Sequence, residues 1–201
     1  MEIIDLTQTF GSDTPGYPGG PVPQIKQIAS IKVDGYTDYQ INTAMHVGTH
    51  MDGPAHFVVG GKRLSEIPVE RFFGRGVLID VRNQNITAKL LEGVQEGDVV
   101  LVLTGWSAKF GQEDYYKDYP VLNEEFANKL VELKVKGIGV DTSSPDDVPY
   151  PLHKILLPNE ILIIENLTNL EKLLNKQFEV VALPIKFDLD SGLARVVAKI
   201  I

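Results

Sequence analysis

The chain has 201 residues, 43% of them hydrophobic, 23% charged and 8% aromatic, and a fold of that size buries about 70% of its unfolded surface without needing disulfides or a structural metal. Acidic residues outnumber basic ones by 27 to 19 for a formal charge of −8, and no Lys/Arg stripe is present that could track phosphates, which sets nucleic acid aside as a partner. There is no cysteine, so thiolate nucleophiles and Cys-type zinc sites are excluded and any metal ligand must be an N or O atom.

The N-terminus, Met1-Glu2-Ile3-Ile4-Asp5, lacks the basic and apolar regions of a signal peptide. The longest apolar run, Val99–Leu103, is far too short to span a membrane. A cytoplasmic protein without membrane contact is expected. No repeat or linker divides the chain, which points to one domain over residues 1–201.

Taken in order, Ile3-Ile4 starts a strand, and the Gly/Pro-rich stretch that follows, up to about residue 60, reads as loop and edge strand. Further apolar β-branched runs at Val77-Leu78-Ile79, 99–103, 138–140, 161–164, 180–183 and Val196-Val197 read as strands, several too continuously apolar to have a wet face. The clearest helix covers 124–134, with Phe126, Leu130 and Leu133 on one stripe and Asn123 as its N-cap. Residues 87–91 and 167–174 are shorter helical candidates. The pattern is mixed α/β, and periodicity alone leaves open whether the sheet is flat or rolled up.

Three of the four histidines lie in one stretch, His46-Val47-Gly48-Thr49-His50-Met51-Asp52-Gly53-Pro54-Ala55-His56. A straight strand would hold His46 and His50 ~13 Å apart, beyond the reach of one metal ion. A continuous helix is opposed by Gly48, Gly53 and Pro54 and would turn Asp52 away. The segment must therefore bend around something. Imidazoles and a carboxylate on a compact loop form an N/O ligand set of the kind that leaves a coordination position open.

The segment resembles the H-x-G-T-H-x-D-x-P-x-H signature of the metal-dependent cyclase family, which includes bacterial kynurenine formamidases (arylformamidases) and isatin hydrolases. Weaker matches run along the whole chain: Asp5-Leu6-Thr7, Tyr17-Pro18-Gly19, Thr104-Gly105-Trp106, Gly139-Val140-Asp141-Thr142, Glu165-Asn166-Leu167 and Ala194-Arg195-Val196-Val197. The resemblance implies that His46, His50 and Asp52 bind a first divalent ion, and that Asp52 bridges to a second completed by His153 and Glu165. It implies that His56 is the proton donor and acceptor. Two ions per chain, zinc or manganese, and a homodimer or larger homo-oligomer are then expected. The expected fold is α/β with a mixed, barrel-like sheet flanked by helices. The implied activity is hydrolysis of a formamide, lactam or similar cyclic amide by metal-activated water, arylformamidase-like, taking N-formylkynurenine to kynurenine and formate. A buried Glu165 behind the apolar run 161–164 would be costly unless a cation lay beside it.

Two elements depart from the family pattern. Formamidases carry P-x-W-P-G-D near the N-terminus, whereas this chain reads Pro15-Gly16-Tyr17-Pro18-Gly19-Gly20. Tyr17 keeps a ring able to stack on substrate, or it covers a turn, while Gly20 removes a carboxylate. Where the family usually shows G-S-P-x-R, this chain has Asp190-Ser191-Gly192-Leu193-Ala194-Arg195, in which Arg195 orients a substrate carboxylate or pairs with an acidic neighbour. Asp141 and Thr142 either support the ligands or cap a turn, and Trp106 reads as core. The competing functions are a cyclase or dehydratase-type lyase at the same site and a non-catalytic protein organised by metal.

Overall fold

The computed structural model describes every residue from Met1 to Ile201. Its strands are β1 (Ile3–Asp5), β2 (Gln24–Ala29), β3 (Asp38–Asn42), β4 (His50–Asp52), β5 (Phe73–Asp80), β6 (Val99–Leu103), β7 (Gly137–Val140), β8 (Leu162–Glu165), β9 (Phe178–Pro184) and β10 (Ser191–Ile200). Its α-helices are α1 (Ile31–Asp34), α2 (Glu124–Leu133) and α3 (Pro151–Leu156).

Seven strands close on themselves in the order β10-β4-β8-β7-β6-β5-β9, with β9 returning to β10. β5 to β8 run parallel, and the remaining pairings are antiparallel. β1 pairs with the far end of β10, Ile3 opposite Lys199, on the edge away from β9. The expected α/β fold with a mixed, barrel-like sheet and flanking helices is what the chain forms.

Side-chain alternation explains why several strands are apolar throughout. Val99, Leu101 and Leu103 of β6 join Leu162 and Ile164 of β8 inside the barrel, while Val100, Val102 and Ile163 face outward beneath Phe126 and Leu130 of α2 and Leu152 and Leu156 of α3. Both faces of the wall are dry, as burial on both faces of a parallel sheet requires. Helix α2 starts where expected: the Asn123 side chain accepts the Phe126 N–H at 2.9 Å. The shorter candidates form single 3-10 turns, Ala88–Leu91 and Leu170–Leu173, because too few residues lie between flanking turns to complete an α-helical nucleus.

The front of the chain is more ordered than its loop-like composition indicates. β2 and β3 form a hairpin in a sheet of their own, with Ile31 71% and Val33 85% exposed at its connection and Tyr39 and Ile41 exposed on β3. The barrel interior, by contrast, is filled. A Cβ at Gly76 would stand 2.0 Å from the ring of buried Phe178. Gly76→Ala is therefore expected to cost about 1–3 kcal/mol by overpacking, read as a drop in melting temperature of about 2–4 °C per kcal/mol for a domain of this length. A melting temperature equal to that of the parent would contradict this packing.

Candidate metal centre

Strand β4 delivers two of the expected ligands by alternation. Met51 points into the barrel core, so His50 and Asp52 point out of the other face. Antiparallel pairing sets His50 opposite Glu165 of β8. The chain reaches β4 through a bend at Gly48, whose φ of +65° favours glycine and whose missing Cβ leaves room for the Phe10 ring. That bend folds His46 back, so its Nδ1 lies 3.0 Å from Asp52 Oδ1.

His153 comes from α3 on the other side. Asp146 organises that helix start: one of its oxygens accepts the Leu152 N–H at 2.6 Å and the His153 N–H at 3.2 Å, and the other accepts from His153 Nδ1 at 2.7 Å. His153 Nε2 then lies 3.7 Å from Asp52 Oδ2 and 3.6 Å from Glu165 Oε1. His50 is oriented likewise, with Nδ1 bonded to the Gly48 carbonyl at 2.8 Å and Nε2 3.6 Å from Asp52 and 3.2 Å from Glu165.

These hydrogen bonds decide the tautomers. A neutral ring that donates from Nδ1 keeps its lone pair on Nε2, so the Nε2 atoms of His50 and His153, aimed at the carboxylates of Asp52 and Glu165, carry either a second proton or a lone pair free for a metal ion. Both Asp52 oxygens and His50 Nε2 are buried without any hydrogen-bond partner. Two carboxylates in a dry site are costly unless positive charge lies beside them, whether protons on the imidazoles or a metal ion. Two clusters of donor atoms share Asp52, His46 with Asp52 and His56, and His50 with Asp52 and Glu165; the grouping differs from the expected one in drawing in His56 and in leaving His153 at 3.6–3.7 Å, but its nitrogen and oxygen donors suit a divalent transition-metal ion or zinc.

The electrostatics of the protein alone carry the same message. Burial opposes charge on His46, but nearby Asp52, Asp190 and Glu165 outweigh it and lift its pKa to about 9. His153 is likewise opposed by burial yet raised to about 12 by Asp146, Asp52 and Glu165. Burial also resists ionisation of Asp52, and the surrounding imidazoles still hold it well below the usual carboxylate range. His56 moves the other way: burial, reinforced by His46 and His153 against the pull of Asp52 and Asp190, lowers its pKa.

A cavity of about 390 Å³ opens over this cluster. His56, in the 3-10 turn Pro54–His56, borders it, with Nδ1 bonded to Asp190 Oδ2 at 3.0 Å. Tyr17 borders it too, its ring packed edge-on at 5.6 Å against Tyr116 and its hydroxyl 3.5 Å from that of Tyr150. The structure thus brings His46, His50, Asp52, His56, His153, Glu165 and Tyr17 to one place. Asp146, which hydrogen-bonds His153, and the cavity rings Phe57, Tyr116 and Tyr150 escaped the sequence reading, and Asp190, which hydrogen-bonds His46 and His56, received no role there.

Other residues take quieter roles. Asp141 accepts the N–H groups of Thr104 and Gly105 and the Thr104 hydroxyl, which makes it a turn cap. Arg195 pairs with exposed Asp5 at 2.7 Å, away from the cavity. Trp106 is half-buried beside the loop, where its indole N–H donates to the Tyr115 carbonyl at 2.7 Å.

Comparison with known proteins extends these observations. A family model described as a putative cyclase matches residues 4–147. An uncharacterized protein of Methanocaldococcus jannaschii is 32% identical over 200 residues, covering 98% of this chain and 99% of its own. A kynurenine formamidase of Bacillus cereus is 29% identical over 204 residues, covering 98% and 97%. The structure of isatin hydrolase A from Labrenzia aggregata superposes with a TM-score of 0.85 at 26% identity, over 98% of this chain and 93% of that one. With the match of the family model to most of its length, the chain belongs to the putative cyclase family.

Proposed function

We propose that this protein is a metal-dependent hydrolase that cleaves a formamide, lactam or similar cyclic amide attached to an aromatic ring, with the arylformamidase reaction on N-formylkynurenine as its first test. The observation that carries the proposal is the buried Asp52 carboxylate at the meeting point of His46, His50, His153 and Glu165, with no partner but these ionisable side chains. These five residues would hold two divalent ions, zinc or manganese, with Asp52 shared. When bound, a divalent cation supplies Lewis acidity, polarising a carbonyl and acidifying water into the neutral range.

The chain's own residues do the rest. His56 donates from Nδ1 to Asp190, which leaves Nε2 to exchange a proton with substrate, and its lowered pKa keeps it neutral and able to accept one. Water adds to the carbonyl carbon, the C–N bond breaks, and His56 returns the proton to the departing nitrogen. The rings of Tyr17, Phe57, Tyr116 and Tyr150 border the cavity and offer faces and edges to an aromatic substrate. No lysine or arginine borders it, which favours an uncharged ring system near the reacting carbonyl. The likeness to a kynurenine formamidase and to isatin hydrolase A supports amide hydrolysis.

We also propose a homo-oligomer in which a second copy covers the β2–β3 hairpin. A two-stranded hairpin is marginal alone in water, and this one forms a sheet separate from the barrel and exposes Ile28, Ile31, Val33, Tyr39 and Ile41. A neighbouring copy supplies apolar cover of the same character.

His56→Ala is expected to retain its metal content by mass spectrometry while kcat falls by about 10²–10⁴-fold; undiminished turnover removes His56 from the proton step. In ¹⁸O-labelled water the acid product should carry solvent oxygen, and a product formed without label would replace hydrolysis by a lyase reaction. Light scattering is expected to give at least twice the 22.2 kDa chain mass, and a monomer mass would leave the hairpin without its proposed cover.

A further inference from the structure

One oxygen atom contacts two histidines of different function. Asp190 Oδ2 lies 3.0 Å from His46 Nε2 and 3.0 Å from His56 Nδ1. An ionised carboxylate only accepts hydrogen bonds, and each of its oxygens has two lone pairs, so both rings present an N–H to it. Each ring, when neutral as a metal ligand or base must be, then keeps its lone pair on the opposite nitrogen. In His46 that is Nδ1, the atom 3.0 Å from Asp52 Oδ1. In His56 it is Nε2, the nitrogen left for substrate. The two rings lie 4.1 Å apart and tilted by 31°, so neither can turn without disturbing the other.

The backbone holds Asp190 in place for this task. It immediately precedes β10, whose first residue, Ser191, pairs with Asp52. The Asp190 carbonyl accepts the Gly53 N–H at 2.8 Å, and the Ser191 hydroxyl donates to the Met51 carbonyl at 3.0 Å. The carboxylate is thus tied to the strand that carries His50 and Asp52.

We infer that Asp190 is a positioning residue that fixes the tautomer and orientation of His46 and His56 together, coupling metal capture to proton transfer through one shared acceptor. The His56 half rests on the function proposed above; the His46 half does not need turnover. Hydrogen-bond partners of metal-bound histidines typically govern affinity by 10–100-fold, and replacing a carboxylate that orients a catalytic imidazole by its amide leaves the wrong tautomer.

The test uses the full chain and the variants Asp190→Asn and His56→Ala, with three readings. Zinc affinity is measured by competition with a chromophoric chelator. The tautomer of each of the four histidines in the zinc-loaded protein is read from ring ¹⁵N shifts. Values of kcat and KM are taken at saturating zinc on whichever amide the parent protein hydrolyses. Asp190→Asn is isosteric, so melting temperature should hold while zinc affinity falls by about 10–100-fold, His56 loses its Nδ1–H form, and kcat falls with little change in KM. His56→Ala should lose kcat and keep zinc affinity. Unchanged zinc affinity in Asp190→Asn overturns the shared role, as does a His56 tautomer or a kcat equal to the parent's. If the parent protein hydrolyses no amide, the functional proposal fails, while affinity and ¹⁵N shifts still decide the positioning of both rings.

Discussion

A strand of three residues carries the structure. β4 is the single stave between β8 and β10, so it closes the barrel and at the same time presents His50 and Asp52. Its short length leaves no freedom of register. A slip by one residue would turn Met51 out of the core and drive two polar side chains into it, a change that costs both hydrophobic burial and desolvation. The ladder that places Glu165 opposite His50 and Ser191 opposite Asp52 is thereby held by the packing of the barrel. The fold's stability and the site's geometry share one set of hydrogen bonds.

Around that strand the chain concentrates negative charge in a place where water is scarce. Asp52, Glu165 and Asp146 are all buried, and Asp190 closes the rim. The imidazoles supply the nearest compensation, which is why His46 and His153 hold protons so firmly in the protein alone. A metal ion bound here would compete with these protons for the same lone pairs and displace them. Each ring is steered by an outer partner: Gly48 for His50, Asp146 for His153, and Asp190 for His46 and His56. Fixing rings beforehand reduces the ordering that a bound ion would otherwise require.

Much of this is written locally in the sequence. The apolar strands announced themselves because both faces of the wall are covered, and Asn123 marked the start of α2 through its cap. The bend around His46 to His56 followed from Gly48, Gly53 and Pro54, which oppose a helix, and from the span a straight strand would impose. β4 was hidden because three residues show no periodicity and His-Met-Asp does not look like a strand. α3 was hidden because six residues between Tyr150 and Leu157 depend on a cap from Asp146, and a carboxylate five residues before a helix gives no distinctive signal. Asp190 is 134 residues from His56, and only the closure of the barrel brings them together.

The filled barrel has an evolutionary consequence. Because Phe178 and its neighbours occupy the interior, the cavity lies against the outer wall, and its rings come from separate surface segments: Tyr17 from the N-terminal stretch, Tyr116 from the turns after β6, and Tyr150 from the approach to α3. None of these rings belongs to a barrel strand, whereas His50, Asp52 and Glu165 do. Mutational drift can therefore reshape what enters the cavity one segment at a time while selection on folding protects the donor cluster. A lineage built this way can change what its cavity admits without first losing the buried donor cluster beneath it.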